Sequence, residues 1–167
     1  IIKLLPKDGV FISESHYLLP LLTQIQYDTI YHEHLRYYSL ESLMYLFKMH
    51  GLEIFHAKEI PTHGGSIRVY AGRKGSYPVE KSVRSLLRKE KKVVTGLSSF
   101  KKFKERVILS KLELYSLLYP IKKKGQKIYA ISAPARSTTL ISYTGLDEGI
   151  IDCVLEITGS DKIGRFI

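Results

Sequence analysis

Apolar residues recur every three or four positions in some stretches and every second position in others, and this change of period predicts the elements. Residues 9–16 follow a Lys7-Asp-Gly9 turn and read as a short buried strand. Residues 17–23 are apolar around Pro20 and read as a short helix or turn. Leu43, Leu46 and Phe47 stand at helical spacing behind Ser39, whose hydroxyl suits a helix N-cap, with Glu41 in the first turn and Gly51 as the stop. Residues 52–60 and 66–71 read as partner strands joined by a turn over 61–65. From Pro78 the composition shifts: Val83, Leu86 and Leu87 mark a short amphipathic helix closing on Lys89-Glu-Lys-Lys92. A longer helix is expected from near Ser98 to about Tyr119. Phe100, Phe103 and Val107 mark its stripe, Ile108, Leu112 and Tyr115 continue it with a small phase shift, and Pro120 is placed to end or kink it. Residues 128–132 read as a strand, 133–137 as a turn of small residues, 138–143 as a short helix and 150–157 as the next strand. That order opens a βαβ unit, which places a loop and a helix N-terminus at a strand's carboxyl end.

One segment fits neither period. Tyr27-Asp-Thr-Ile-Tyr-His-Glu-His-Leu-Arg-Tyr-Tyr-Ser39 packs two histidines, two acids and four tyrosines into thirteen residues. Such density is poor core material, because each buried imidazole or carboxylate needs a partner. It is the raw material of acid/base catalysis near neutral pH. In a turn or helix, Tyr31 and His34 share a face, which sets a phenol beside a base. In an extended segment His32 and His34 share one face and Tyr31 and Glu33 the other, which leaves a His-x-His metal pair open.

Two other stretches carry chemistry. Pro61-Thr-His-Gly-Gly-Ser-Ile-Arg68 sets paired glycines between His63 and Ser66; it suits close backbone approach by a ligand and equally a plain hairpin connection. Ser132-Ala-Pro-Ala-Arg-Ser-Thr-Thr139 leads small residues into a helix start. Free N–H groups, the Ser137 and Thr138 hydroxyls and the Arg136 fork make an anion site, against the alternative of an ordinary strand-to-helix turn. The order is that of neither a Walker loop nor Gly-x-Gly-x-x-Gly.

Composition narrows the classes. With 167 residues, 44% hydrophobic and 25% charged, the chain can bury a real core. A single cysteine, Cys153, excludes an internal disulfide and a Cys-based zinc site and fits a reducing compartment. No stretch approaches the roughly 20 apolar residues of a membrane span. The opening Ile1-Ile-Lys-Leu-Leu-Pro-Lys7 lacks signal-peptide order and an initiating Met, so an internal piece of a longer protein is expected. The net charge of +10 is concentrated: residues 66–127 hold 18 basic and 4 acidic residues, and the flanking parts are each −2. Nucleic acid, a membrane surface or a phosphorylated small molecule could use that field, and so could a solvated helix face carrying Lys101, Lys102, Lys104, Arg106 and Lys111.

Taken together the motifs resemble those of the S-adenosylmethionine-dependent sugar C-methyltransferases, which act on nucleotide-linked keto-sugars. The carriers are Tyr27-Asp-Thr-Ile-Tyr-His-Glu-His34, His50-Gly-Leu-Glu53, Ile60-Pro-Thr-His-Gly-Gly-Ser-Ile-Arg68 and Ala133-Pro-Ala-Arg-Ser-Thr-Thr139, in family order. Two positions depart from the family pattern: Ala130-Ile-Ser132 replaces a Gly-Tyr-Gly, and Glu156 stands where a strand usually ends in Asp.

The resemblance implies an α/β chain. Residues 1–77 would be the late strands of a Rossmann-like methyltransferase domain, 78–124 a basic helical connector, and 125–167 the start of a second Rossmann-like domain that binds the nucleotide sugar. It implies His34 as the base, Glu33 orienting it and Tyr31 donating to the developing enolate. His63, Gly64, Gly65, Ser66, Arg68, Pro134, Ala135, Arg136, Ser137 and Thr138 would be substrate contacts, with no metal among these residues. The implied cofactor is S-adenosylmethionine, held mostly by residues outside this chain, with zinc in a separate N-terminal module. The partner is a keto-sugar, dTDP-linked, with no nucleic acid or membrane, in the cytoplasm, and this piece alone would be inactive. Two other readings stay open: a basic nucleic-acid-binding module centred on Lys101 to Lys111, and a metal-dependent hydrolase centred on His32 and His34.

Overall fold

A computed structural model describes residues 1–165 of the protein. They fall into two compact units: Ile1–Gln26 with Arg36–Lys101, and Tyr27–Leu35 with Lys102–Ile167.

The first unit is built on a three-stranded sheet of β1 (Phe11–His16), β2 (Leu52–Ile60) and β3 (Ser66–Arg73), in the order β1-β3-β2. Both pairings are antiparallel: Phe11 faces Ala71 and His16 faces Ser66, while Leu52 faces Arg73 and Ile60 faces Ser66. A Rossmann-like sheet is parallel in the main, and the antiparallel β2–β3 pairing here has a local cause. Only residues 61–65 join β2 to β3, whereas a parallel crossover needs a dozen or more. Ile67, Val69 and Ala71 alternate on β3 and are fully buried, so one face of the sheet is the core floor. Onto it pack Leu19 of α1 (Leu18–Thr23), Leu40, Leu43 and Phe47 of α2 (Leu40–Met49), and Val83 of α3 (Lys81–Val93).

The start of α2 is fixed twice. Ser39 Oγ accepts from Ser42 N at 3.0 Å, and Ser42 Oγ accepts from Ser39 N at 3.0 Å, a reciprocal cap. Glu90 of α3, 2% exposed, takes the Leu40 N–H on one carboxylate oxygen and the Glu41 N–H on the other at 3.2 Å. The buried charge therefore meets donors at the positive end of a helix.

Helix α4 (Leu97–Lys123) begins in the first unit and continues into the second. Pro120 does not end it; the helix runs on to Lys123. The ring removes one N–H donor, and the Ser116 carbonyl it leaves lies on an exposed turn that water can reach. In the second unit β4 (Tyr129–Ile131) and β5 (Cys153–Leu155) pair in parallel, with Tyr129 opposite Cys153 and Ile131 opposite Leu155. Helix α5 (Ala135–Thr144) connects them, which is the βαβ order expected from the sequence. It starts three residues earlier than expected, behind Pro134 at φ −67°, and ends on Gly145 in the left-handed region at φ 72°. Among the described residues no helix is long and apolar enough to cross a membrane.

Candidate functional site

Residues Tyr27–Leu35 belong to the second unit although their chain neighbours on both sides belong to the first. The segment opens with a 3-10 turn, Tyr27–Thr29, that buries Thr29. A second turn follows, closed by the His34 N–H donating to the Tyr31 carbonyl at 3.0 Å. This is the turn geometry of the two that the sequence leaves open. The Tyr31 and His34 rings stand edge to face, centroids 5.1 Å apart and planes at 88°. Both side chains are half-buried, and Glu33 and His32 are exposed.

The Tyr31 hydroxyl donates to Glu33 Oε2 at 3.2 Å. Desolvation, followed by the Glu33 carboxylate, pushes this phenol above its ordinary pKa of 10.0. A hydrogen-bond donor, a carboxylate and an imidazole thus share four consecutive residues. The extended register that a His-x-His metal pair needs is absent from this turn. Among the described residues no group of three or more His, Cys, Asp or Glu side chains could hold a metal ion.

Helix α5 carries this segment. Arg136 Nε and Nη2 both reach Asp28 Oδ2, at 3.0 and 2.7 Å. Thr139 Oγ1 donates to the Ile30 carbonyl at 3.4 Å, and the Tyr27 ring meets the Tyr143 ring edge-on at 5.2 Å. Tyr143 is held in turn by Lys111 of α4, whose Nζ lies 5.4 Å from the ring centroid and donates to the Tyr143 carbonyl at 3.0 Å.

The expected anion donors have partners inside the unit. The Arg136 guanidinium faces Asp28, and the Ser137 hydroxyl donates to the Pro134 carbonyl at 2.7 Å. The Ala133 N–H donates to Glu156 Oε1 at 2.5 Å, which with Lys162 at 3.9 Å draws the Glu156 pKa below its usual value, the Ala133 bond counting most. Glu156 thus ties the end of β5 to the turn before α5. Beside it lies a cleft of 720 Å³, a volume that suits a small-molecule site, with Ala133, Thr138, Glu156 and Lys162 in its wall. Pro134 and Ala135 form the helix start at its edge.

His63, Gly64, Gly65, Ser66 and Arg68 lie in the first unit. His63 is exposed at φ 51°, and Ser66 is buried. Gly64 and Gly65 are needed by the chain itself. At Gly65, φ 128°, a Cβ would fall 2.6 Å from Pro20 Cγ, and at Gly64, φ 84°, 2.9 Å from Gln26 Nε2. Gln26 Nε2 donates to the Gly64 carbonyl at 2.7 Å. Arg68 Nη2 is paired with Glu14 Oε2 at 2.7 Å. Gly64, Gly65 and Ser66, with Tyr17 and Pro20, border a second cleft of 450 Å³.

Of the residues expected from the sequence, Tyr31, Glu33 and His34 come together in one turn, in the same unit as the Arg136 corner. Asp28 is the addition. The signal for it was a carboxylate in the polar segment with no assigned work, and in Arg136 the one Lys or Arg between Ile128 and Asp161.

Residues 61–167 match the family described as the C-methyltransferase C-terminal domain. C-methyltransferase NovU of Streptomyces niveus is 32% identical over 145 residues, which cover 86% of this chain and 34% of NovU. The chain thus spans about a third of the length of that relative.

Proposed function

We propose that this chain, which belongs to the C-methyltransferase family, serves methyl transfer to a carbon of a nucleotide-linked keto-sugar, with His34 as the base. The observation that carries the reading is the 31–34 turn, where phenol, carboxylate and imidazole are adjacent in a chain of that family.

A carbonyl acidifies the hydrogen on the neighbouring carbon. His34 takes that hydrogen as a proton; the electrons of the broken C–H bond pass into an enolate, and its oxygen accepts a hydrogen bond from the Tyr31 hydroxyl. Glu33 holds the Tyr31 proton until a substrate oxygen competes for it. The nucleotide is assigned to the 720 Å³ cleft, with Thr138 and Lys162 as the polar contacts, beside the Pro134 to Ser137 corner.

S-adenosylmethionine, the donor implied for a methyltransferase of this kind, supplies an electrophilic methyl carbon when bound. The residues here do not form its pocket. No Gly-x-Gly-x-x-Gly is present to bring backbone close to a nucleotide. Zinc likewise belongs, by the resemblance, to a separate module.

The test is solvent exchange. Full-length protein is incubated with a dTDP-linked keto-sugar in heavy water without methyl donor, and proton NMR follows the hydrogen beside the carbonyl. The expected result is enzyme-dependent deuterium wash-in that His34→Ala slows by about 10²–10⁴-fold. Absence of wash-in in the wild type, or full exchange by His34→Ala, overturns the reading.

A further inference from the structure

We propose that Asp28 and Arg136 are a positioning pair, which fixes the 27–35 segment on α5 and so sets where Tyr31 and His34 stand. The inference rests on the functional reading above and names residues that act through those side chains.

Backbone turns shape the 27–35 segment. Its local backbone bonds are Ile30 N to Tyr27 O, Tyr31 N to Thr29 O and His34 N to Tyr31 O, at 3.0, 3.1 and 3.0 Å. These close turns but do not place them. The ties to α5 do: Tyr27 meets Tyr143, Asp28 meets Arg136, and the Ile30 carbonyl meets Thr139. Residues 136, 139 and 143 are three and four apart, so they form one stripe of the helix. The helix thus presents a single face to the segment, immediately ahead of the catalytic turn.

Within that stripe the ion pair is the most directional tie. Two guanidinium nitrogens converge on one carboxylate oxygen, which fixes both distance and angle. The other two ties, an aromatic edge and a 3.4 Å hydroxyl bond, are looser. No other Lys or Arg occurs between Ile128 and Asp161, so no sequence neighbour can stand in for Arg136. The rival role for Arg136 is direct contact with the substrate diphosphate, and the two roles predict opposite behaviour for Asp28.

The experiment compares Asp28→Asn, Arg136→Gln and the reciprocal Asp28→Arg/Arg136→Asp in the full-length protein. One readout needs no substrate: amide hydrogen exchange of residues 27–35, with β2 and β3 as internal references. The other is kcat and KM for deuterium wash-in. Each single variant is expected to speed amide exchange in 27–35 roughly tenfold while the reference strands stay unchanged. Each should lower kcat roughly 10–100-fold with KM within about twofold. The reciprocal pair should return both readouts most of the way, because the charges meet again. Unchanged amide exchange in both singles overturns the proposal. So does a KM increase in Arg136→Gln beside a silent Asp28→Asn, which would make Arg136 a diphosphate ligand. A wild type without wash-in sinks the functional reading alone; amide exchange still decides the pair.

Discussion

Tyr31 is the side chain whose surroundings most restrict what it can do. Burial and the Glu33 carboxylate raise its pKa above the ordinary 10.0, so it stays a protonated donor through the neutral and mildly alkaline range. Tyr31→Phe removes that donor and leaves the ring edge against His34. It is expected to lower kcat of the wash-in reaction by about 10²–10³-fold, the usual cost of one oxyanion donor. Alkaline loss from this group should set in at a higher pH than for an ordinary phenol; a pH profile of kcat checks both statements. From the sequence, the side chains of residues 31–34 were legible but their shape was not. A polar segment has no hydrophobic period, and one backbone bond, His34 N to Tyr31 O, decides between turn and strand. Gly65 shows the same limit from the other side. Its paired-glycine motif reads equally as ligand approach or hairpin, and only the Pro20 ring at its α-carbon shows what fills the space. Gly65→Ala should destabilise the first unit by more than about 1 kcal/mol, from positive φ and overlap together, as read by denaturant midpoint.

Elements governed by neighbours in sequence were foreseeable, and those governed by distant charges were not. The start of α2 was visible in Ser39 because a cap acts within one turn. Its second support, Glu90, lies 50 residues from Leu40, and a lone Glu among lysines reads as surface charge. The structure buries it instead, with two helix N–H groups on its carboxylate. Glu90→Ala leaves the buried Leu40 N–H without its acceptor and is expected to cost about 1–3 kcal/mol, measured by urea denaturation. Glu90→Gln keeps one acceptor and should cost less. If the two variants are equally mild, the helix start does not depend on that carboxylate. The β2–β3 pair was readable from alternation and a short turn, whereas the early start of α5 was hidden by small residues that suit a loop and a helix alike.

Charge is the property of the full chain with the clearest consequence. The protein is already +10 at neutral pH, so acid adds repulsion to a positive molecule. Three carboxylates have pKa values drawn down in the fold: Glu14 by hydrogen bonds from Arg68 and Thr62, Asp152 by the Ile128 N–H and Lys122, and Glu156 by the Ala133 N–H and Lys162. A carboxyl held below its usual value binds its proton less readily when folded than when unfolded. Each therefore contributes stability above the unfolded value, 4.5 for Glu and 3.8 for Asp, and loses it as pH falls through the lower folded value. Glu14 is in the first unit and the other two are in the second, so acid should loosen both. Glu14→Gln isolates one share: it is expected to be less stable than the wild type at pH 6 and to converge with it as pH falls through the lowered Glu14 value. Hydrogen exchange of β1 and β3, followed across that range, should show the gap closing, while β4 and β5 titrate alike in both proteins. A gap that stays constant with pH would assign the loss to packing rather than to the Arg68 pair.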